Sequence, residues 1–268
     1  MRWWSRAPKL HVAIDTGSGP PVVLLHGIAS SSVTFQFLAP LIEARHRVIA
    51  IDLLGFGASP APETANYTID EHVAAVARTI DGLKLRTPFV LVGHSMGSII
   101  ATRYAAQYQR RLTRLVLVSP PVYLAPQAVG DWRDRTTMDL YLRAYDYLRA
   151  NKDFTMAAAA GLARLSPIKN VLEVSERNWR AFMLSLENSI QTQTTVADLS
   201  SVRIPVEVVY GTLDPLLATA GLRIIEQLRN VTVRRVPVGD HVIRPRMAKV
   251  VAAAIDGGEG SPGAVTAS

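Results

Sequence analysis

The chain has no cysteine. That excludes disulfides, thiolate metal sites and a cysteine nucleophile, and leaves the compartment open. It also lacks any apolar run near the roughly 20 residues needed to cross a bilayer, so no stable membrane insertion is expected. The opening MRWWSRAPKL carries charge with no apolar stretch behind it, so a secretory leader is not expected and the cytoplasm is the default location. Acidic residues are the scarcer charge, 22 against 29 Lys and Arg, giving a formal net charge of +7. A basic balance raises the question of nucleic acid. The arginines are dispersed, however, and the clusters are short (Arg110-Arg111, Arg234-Arg235, Arg244-Pro-Arg246). No basic run is interleaved with aromatics. Dispersed charge acts on solubility and steering, so no nucleic-acid partner is expected.

What is present is ample apolar material, 49 % of 268 residues, enough for one large domain or a domain with an insertion. Short β-branched runs alternate with longer helical patterns, which argues for an α/β fold: a mostly parallel central sheet with helices on both faces. Strands are expected at Val22–Leu25, Arg47–Asp52, Phe89–Val92, Leu112–Val118, Val206–Tyr210 and Thr232–Val236, with an edge strand over Leu10–Ile14. Helices are expected at Ile69–Leu83, Met96–Gln107, Ala218–Leu228 and Pro245–Ile255.

The β-rich pattern stops after Ser119-Pro120-Pro121. Met138, Tyr141, Leu142, Tyr145 and Leu148 recur at helical spacing, as do Trp179, Phe182, Met183, Leu186 and Ile190. The domain reading is therefore a core over residues 1–120 and 200–256, a helical cap over 121–199 and a disordered tail over 257–268. The inserted region holds Trp132, Tyr141, Tyr145, Tyr147, Phe154, Trp179 and Phe182. These form a small core of their own or face down onto a pocket. Tyr141, Tyr145, Trp179, Phe182 and Met183 are the candidate substrate contacts.

One stretch carries chemistry. FVLVGHSMGSII places Gly93-His94-Ser95-Met96-Gly97 between a strand and a helix. Glycines on both sides allow a sharp bend that pushes Ser95 outward. A serine hydroxyl is a poor nucleophile unless a base takes its proton. Of the six histidines, His241 alone follows the last strand on a loop, in VGDHVI. In a parallel sheet such loops gather at the same edge as Ser95. The base needs an orienting acid. Asp214, four residues past a strand in VEVVYGTLDP, fits best, with Asp240 and Asp52 as alternatives. An oxyanion would need backbone donors: Met96 N–H after the serine, and Ile28 N–H, or else Ala29, in the His26-Gly27-Ile28-Ala29 loop.

At this point the chain resembles the α/β-hydrolase superfamily. The residues that carry the resemblance are HGIA at 26–29, DLLGFGAS at 52–59, GHSMG at 93–97, GTLDP at 211–215 and GDH at 239–241. The resemblance implies an eight-stranded sheet and a helical cap over the active site. One departure is Asp240, where a small residue often stands. Ser95 at the elbow argues against the related dehalogenases and epoxide hydrolases, which place aspartate there. The loop at 26–29 lacks the HGGG and G-x-G-P-G patterns of other branches. The expected activity is hydrolysis of small to medium carboxylic esters through an acyl-enzyme, with no cofactor or metal. Rivals with the same triad are a carbon–carbon bond hydrolase, a thioesterase, a lactonase and an amidase. From another class stands a non-catalytic ligand binder. Oligomeric state is not legible.

Overall fold

Each apolar run of the expected sheet has room for one strand, and each becomes one. In the computed structural model, which describes residues 7–123, 132–165, 168 and 171–258, the chain begins with β1 (Val12–Thr16) and β2 (Pro21–Leu25). A short helix α1 (Ala39–Ile42) leads to β3 (Arg47–Ile51). Then come α2 (Ile69–Gly82), β4 (Phe89–His94), α3 (Met96–Tyr108) and β5 (Leu112–Val118). The helices α4 (Trp132–Ala150), α5 (Lys152–Leu165), α6 (Trp179–Ser185) and α7 (Thr195–Ser201) follow, and a π turn, Leu186–Ile190, extends α6. The chain closes with β6 (Val206–Gly211), α8 (Thr219–Ile225), β7 (Val231–Val236) and α9 (Pro245–Asp256).

The strands form one sheet in the order β1-β3-β2-β4-β5-β6-β7. All neighbours are parallel except β1, which pairs antiparallel with β3. The resemblance implied eight strands; the described residues form seven. Among the described residues before β2, the strand is the five-residue β1, an antiparallel edge strand ahead of the parallel set. Of the aromatic positions in the inserted region, the Trp132 side chain lies outside the described residues, as does residue 259 onward of the expected tail.

The near-continuous apolar runs of β2 and β4 are buried on both faces, as parallel strands covered by helices require. Alternate residues serve opposite layers. Val23, Leu25, Leu91 and Leu115 pack with α2 and α3. Val22, Leu24, Val92 and Val116 pack with α1 and α9. Helix α2 starts at a capping box, with Glu71 N–H donating to Thr68 Oγ1 and Thr68 N–H donating to Glu71. Helix α7 is tied to α3 by Arg103, which donates to Asp198 at 2.9 Å. Among the described residues, no helix is long and apolar enough to cross a membrane.

Three histidines lie inside this packing. Burial lowers the pKa of His26 to about 4 and of His72 and His94 to about 3. An unfolded chain would titrate them near 6.5. Each therefore binds its proton in the unfolded state first, and stability falls as pH drops from about 6.5 towards 3. With three such groups the slope approaches about 4 kcal/mol per pH unit before His26 itself titrates. Urea unfolding at stepped pH between 7 and 4 checks this, and His72→Gln should remove about one proton's worth of slope. A pH-independent unfolding free energy over that interval would contradict it.

Candidate active site

Parallel strands send their following loops to one sheet edge, and four such loops meet here. They carry Ile28 after β2, Ser95 after β4, Asp214 after β6 and His241 after β7. Ser95 sits at φ 53° and ψ −123°, a left-handed backbone that costs a non-glycine residue about 1–3 kcal/mol. Three contacts hold it there. Ser95 N–H donates to Val118 O at 2.9 Å, and Ser98 returns both its N–H (2.8 Å) and its hydroxyl (2.5 Å) to Ser95 O. Packing around the bend is tight: a Cβ on Gly97 would lie 2.3 Å from Leu25 O. One on Gly27 would lie 2.9 Å from Ser95 Cβ and 3.4 Å from its Oγ.

His241 Nδ1 and Asp214 Oδ2 are 2.8 Å apart, with the Asp214 side chain fully buried. Burial alone would raise the carboxyl's pKa. The bond to His241, the Leu216 N–H at 2.9 Å and the adjacent Ser119 outweigh it and hold Asp214 below the usual range. Asp214 is thus an anion at neutral pH that accepts from the His241 ring. The two loops are also joined through backbone, with Leu213 N–H on Gly239 O at 2.9 Å and Thr212 N–H on Val236 O at 3.0 Å. The alternative acids are engaged elsewhere. Asp240 binds Arg244 at 2.6 Å and caps Val242 N–H. Asp52 accepts from Ser32 N–H, Ser32 Oγ and Ala58 N–H, and so braces the loops after β2 and β3.

Two of the buried histidines support this edge. His94 Nε2 donates to the carbonyl of His241 at 2.8 Å, so the residue before Ser95 also fixes the backbone carrying the ring that meets Asp214. His26 Nδ1 donates to Gly27 O at 2.7 Å, and its Nε2 accepts from Leu53 N–H at 2.8 Å. A neutral ring satisfies both bonds at once, consistent with its low pKa. The ring thereby sets the direction of the peptide that precedes Ile28. Met96 opens α3 directly after Ser95.

Ser95, His241 and Ile28 border one cavity of about 220 Å³. Its remaining wall is mostly apolar and comes largely from the helices between β5 and β6. Of the five candidate substrate contacts, Tyr145 and Phe182 line it. Tyr141, Trp179 and Met183 lie outside the lining: Tyr141 stacks on Tyr123 at 5.5 Å, and Trp179 packs on Phe182 at 5.8 Å. Sequence reasoning missed Tyr123, Leu216 and the α5 residues Thr155, Ala159 and Leu162, all part of the wall. It passed over Ser119 too, which stands where no acid follows β5 and which touches the Asp214 charge. No Lys or Arg is among the described residues that line the cavity.

Comparison with known proteins agrees with this architecture. The family model described as the α/β hydrolase fold matches residues 20–243. A probable lysophospholipase, BODYGUARD 1 of Arabidopsis thaliana, is 37 % identical over 121 residues, covering 43 % of this chain and 26 % of that protein. The chain spans about a quarter of the length of the Arabidopsis relatives it matches. A cis-3-alkyl-4-alkyloxetan-2-one decarboxylase of Shewanella oneidensis is 32 % identical over 120 residues, 44 % of this chain and 37 % of that one. Among solved structures, a bromoperoxidase of Bacillus anthracis superposes with a TM-score of 0.65 at 25 % identity, covering 90 % of this chain and 92 % of that one. With its parallel sheet, its strained serine turn and a family match over most of its length, the chain belongs to the α/β hydrolase fold family.

Proposed function

We propose that the protein is a serine hydrolase that cleaves uncharged, largely apolar carboxylic esters of small to medium size through an acyl-enzyme. The observation that carries this reading is Ser95, on its strained turn, sharing one cavity with a histidine already bonded to a buried aspartate. His241 takes the Ser95 proton as Oγ attacks the ester carbonyl. The backbone N–H groups of Met96 and Ile28 receive the oxyanion. The imidazolium then protonates the leaving alcohol, and the neutral ring activates water to release the acid. Asp214 orients the ring and offsets its charge, a role its depressed pKa allows at any neutral pH. The helices between β5 and β6 act as a cap that excludes water and shapes the acyl site.

The lining favours uncharged substrates. A carboxylate placed in the cavity would lose its hydration with no Lys or Arg among the described lining residues to meet it, a costly burial. This weighs against a carbon–carbon bond hydrolase acting on carboxylate-bearing ring-cleavage products. One relative's name, lysophospholipase, is that of an ester-cleaving class, while another names a decarboxylase of an oxetan-2-one, a cyclic ester.

Release of nitrophenol from p-nitrophenyl hexanoate is the test. The parent should turn over, and Ser95→Ala should not; a mutant as active as the parent, or a parent that binds such esters tightly without turnover, would overturn the reading. Asp214→Asn should lower kcat by about 10³–10⁴-fold, because the ring loses its charge partner and its tautomer. Gly27→Ala should lower kcat about tenfold or more, because its Cβ presses on Ser95 Cβ and shifts the serine from its place. The mono-p-nitrophenyl ester of adipic acid should show a kcat/KM about 100-fold or more below the hexanoate, the scale of a buried unpaired charge. Equal values would show that a cation reaches the substrate.

A further inference from the structure

We propose that the Tyr123–Tyr145 phenol pair is a second recognition point in the cavity. It takes an uncharged oxygen, carbonyl or hydroxyl, on an otherwise apolar substrate, at a place other than the ester under attack. This rests on the hydrolase reading and narrows its substrate class.

The argument is a count of hydrogen-bonding capacity. Apart from Ser95 and His241, the polar side chains among the described residues that line the cavity are Thr155, Tyr123 and Tyr145. Thr155 spends its proton on Leu148 O at 2.7 Å. The two phenols lie 2.6 Å apart, and Tyr123 Oη also stands 3.3 Å from Leu216 O. The pair has two protons to place. If Tyr123 donates to Leu216 O and Tyr145 to Tyr123, both protons are used and Tyr145 presents bare lone pairs. If Tyr123 donates along the shorter contact to Tyr145, the proton of Tyr145 is left over. In either state Tyr145 keeps hydrogen-bonding capacity that a hydrocarbon wall cannot use. A buried hydroxyl left unmet is unfavourable, so a ligand oxygen placed there gains more than a methylene would.

The pair can also change state to suit its ligand. A carbonyl takes the spare proton, and a hydroxyl can either accept it or donate to Tyr145. Both phenols stay protonated. Burial pushes Tyr145 up to about 12 and Tyr123 higher still, and the nearby Asp214 charge adds to both shifts. That same negative charge, with no Lys or Arg among the described lining residues, selects against an anionic group. The site is held in place from two sides. Tyr123 stacks on Tyr141 at 5.5 Å, and the Tyr141 hydroxyl donates to Pro215 O. The recognition point is therefore fixed to the loop that carries Asp214.

The experiment compares p-nitrophenyl hexanoate with its 4-oxo and 5-oxo counterparts, in the parent and in Tyr145→Phe and Tyr123→Phe. In the parent, kcat/KM for at least one oxo ester should exceed that for the hexanoate about tenfold. In Tyr145→Phe that ratio should fall to about one, whereas Tyr123→Phe, which leaves the Tyr145 hydroxyl in place, should keep it. Because the ratio is taken within one protein, partial loss of folding does not disturb it. Neither oxo ester exceeding the hexanoate in the parent, or a ratio surviving Tyr145→Phe, would overturn the proposal while leaving the hydrolase reading intact. Calorimetric titration of the same esters into Ser95→Ala separates the two claims further. A tyrosine-dependent affinity ratio there, beside a parent that hydrolyses none of them, would support the phenol pair and reject the hydrolase.

Discussion

The turn at Ser95 is the constraint on which the rest of the structure depends. A non-glycine residue at φ 53° is unfavourable, and it persists because its neighbours leave it no alternative. The Val118 carbonyl holds the serine from β5, and Ser98 holds it from the first turn of α3. The end of β2 presses on the bend so closely that Gly97 has no room for a Cβ. Three parallel strands must therefore be in register before the turn can exist. The parallel sheet acts as the clamp that stores this strain and aims the hydroxyl into the cavity.

Around that clamp, buried neutral histidines do positional work that charged side chains could not do at this depth. His26 sets the peptide before Ile28 and links it to the loop after β3. His94 links the Ser95 turn to the His241 backbone. Both rings are kept uncharged by burial, so each offers one donor and one acceptor nitrogen in a fixed order. The group that stays charged, Asp214, is the one whose charge an imidazolium would need. The molecule thus separates these histidines by environment: inside, neutral braces; at the cavity, a part-buried ring bonded to an anion.

Much of this was legible in the sequence. Strands β2 to β7 could be placed because each is a short apolar run bounded by turn residues, and β5 was placed to the residue. Ser95, Asp214 and His241 could be picked out because loops after parallel strands share an edge, an argument from topology that needs no coordinates. The described residues form seven strands where the resemblance implied eight, with β1 as the antiparallel edge strand before β2. The cavity wall was read least well. Helical spacing shows which residues share a face, yet not which neighbour that face meets. Tyr145 and Phe182 face the cavity while Tyr141, Trp179 and Met183 on the same two helices do not. The aromatic of helix α5, Phe154, is exposed, and it is the small residues Thr155 and Ala159 of that helix that line the wall. Tyr123 and Leu216 lie on connecting segments with no periodicity to read.

The central claim is that Ser95, and no other hydroxyl, is made reactive by its setting. Labelling with a fluorophosphonate, followed by mass spectrometry of the whole protein and of its peptides, tests that most directly. The account predicts one adduct per chain, on the peptide containing Ser95, with ester hydrolysis lost in proportion to labelling. An unmodified protein, or an adduct on a different residue, would contradict it.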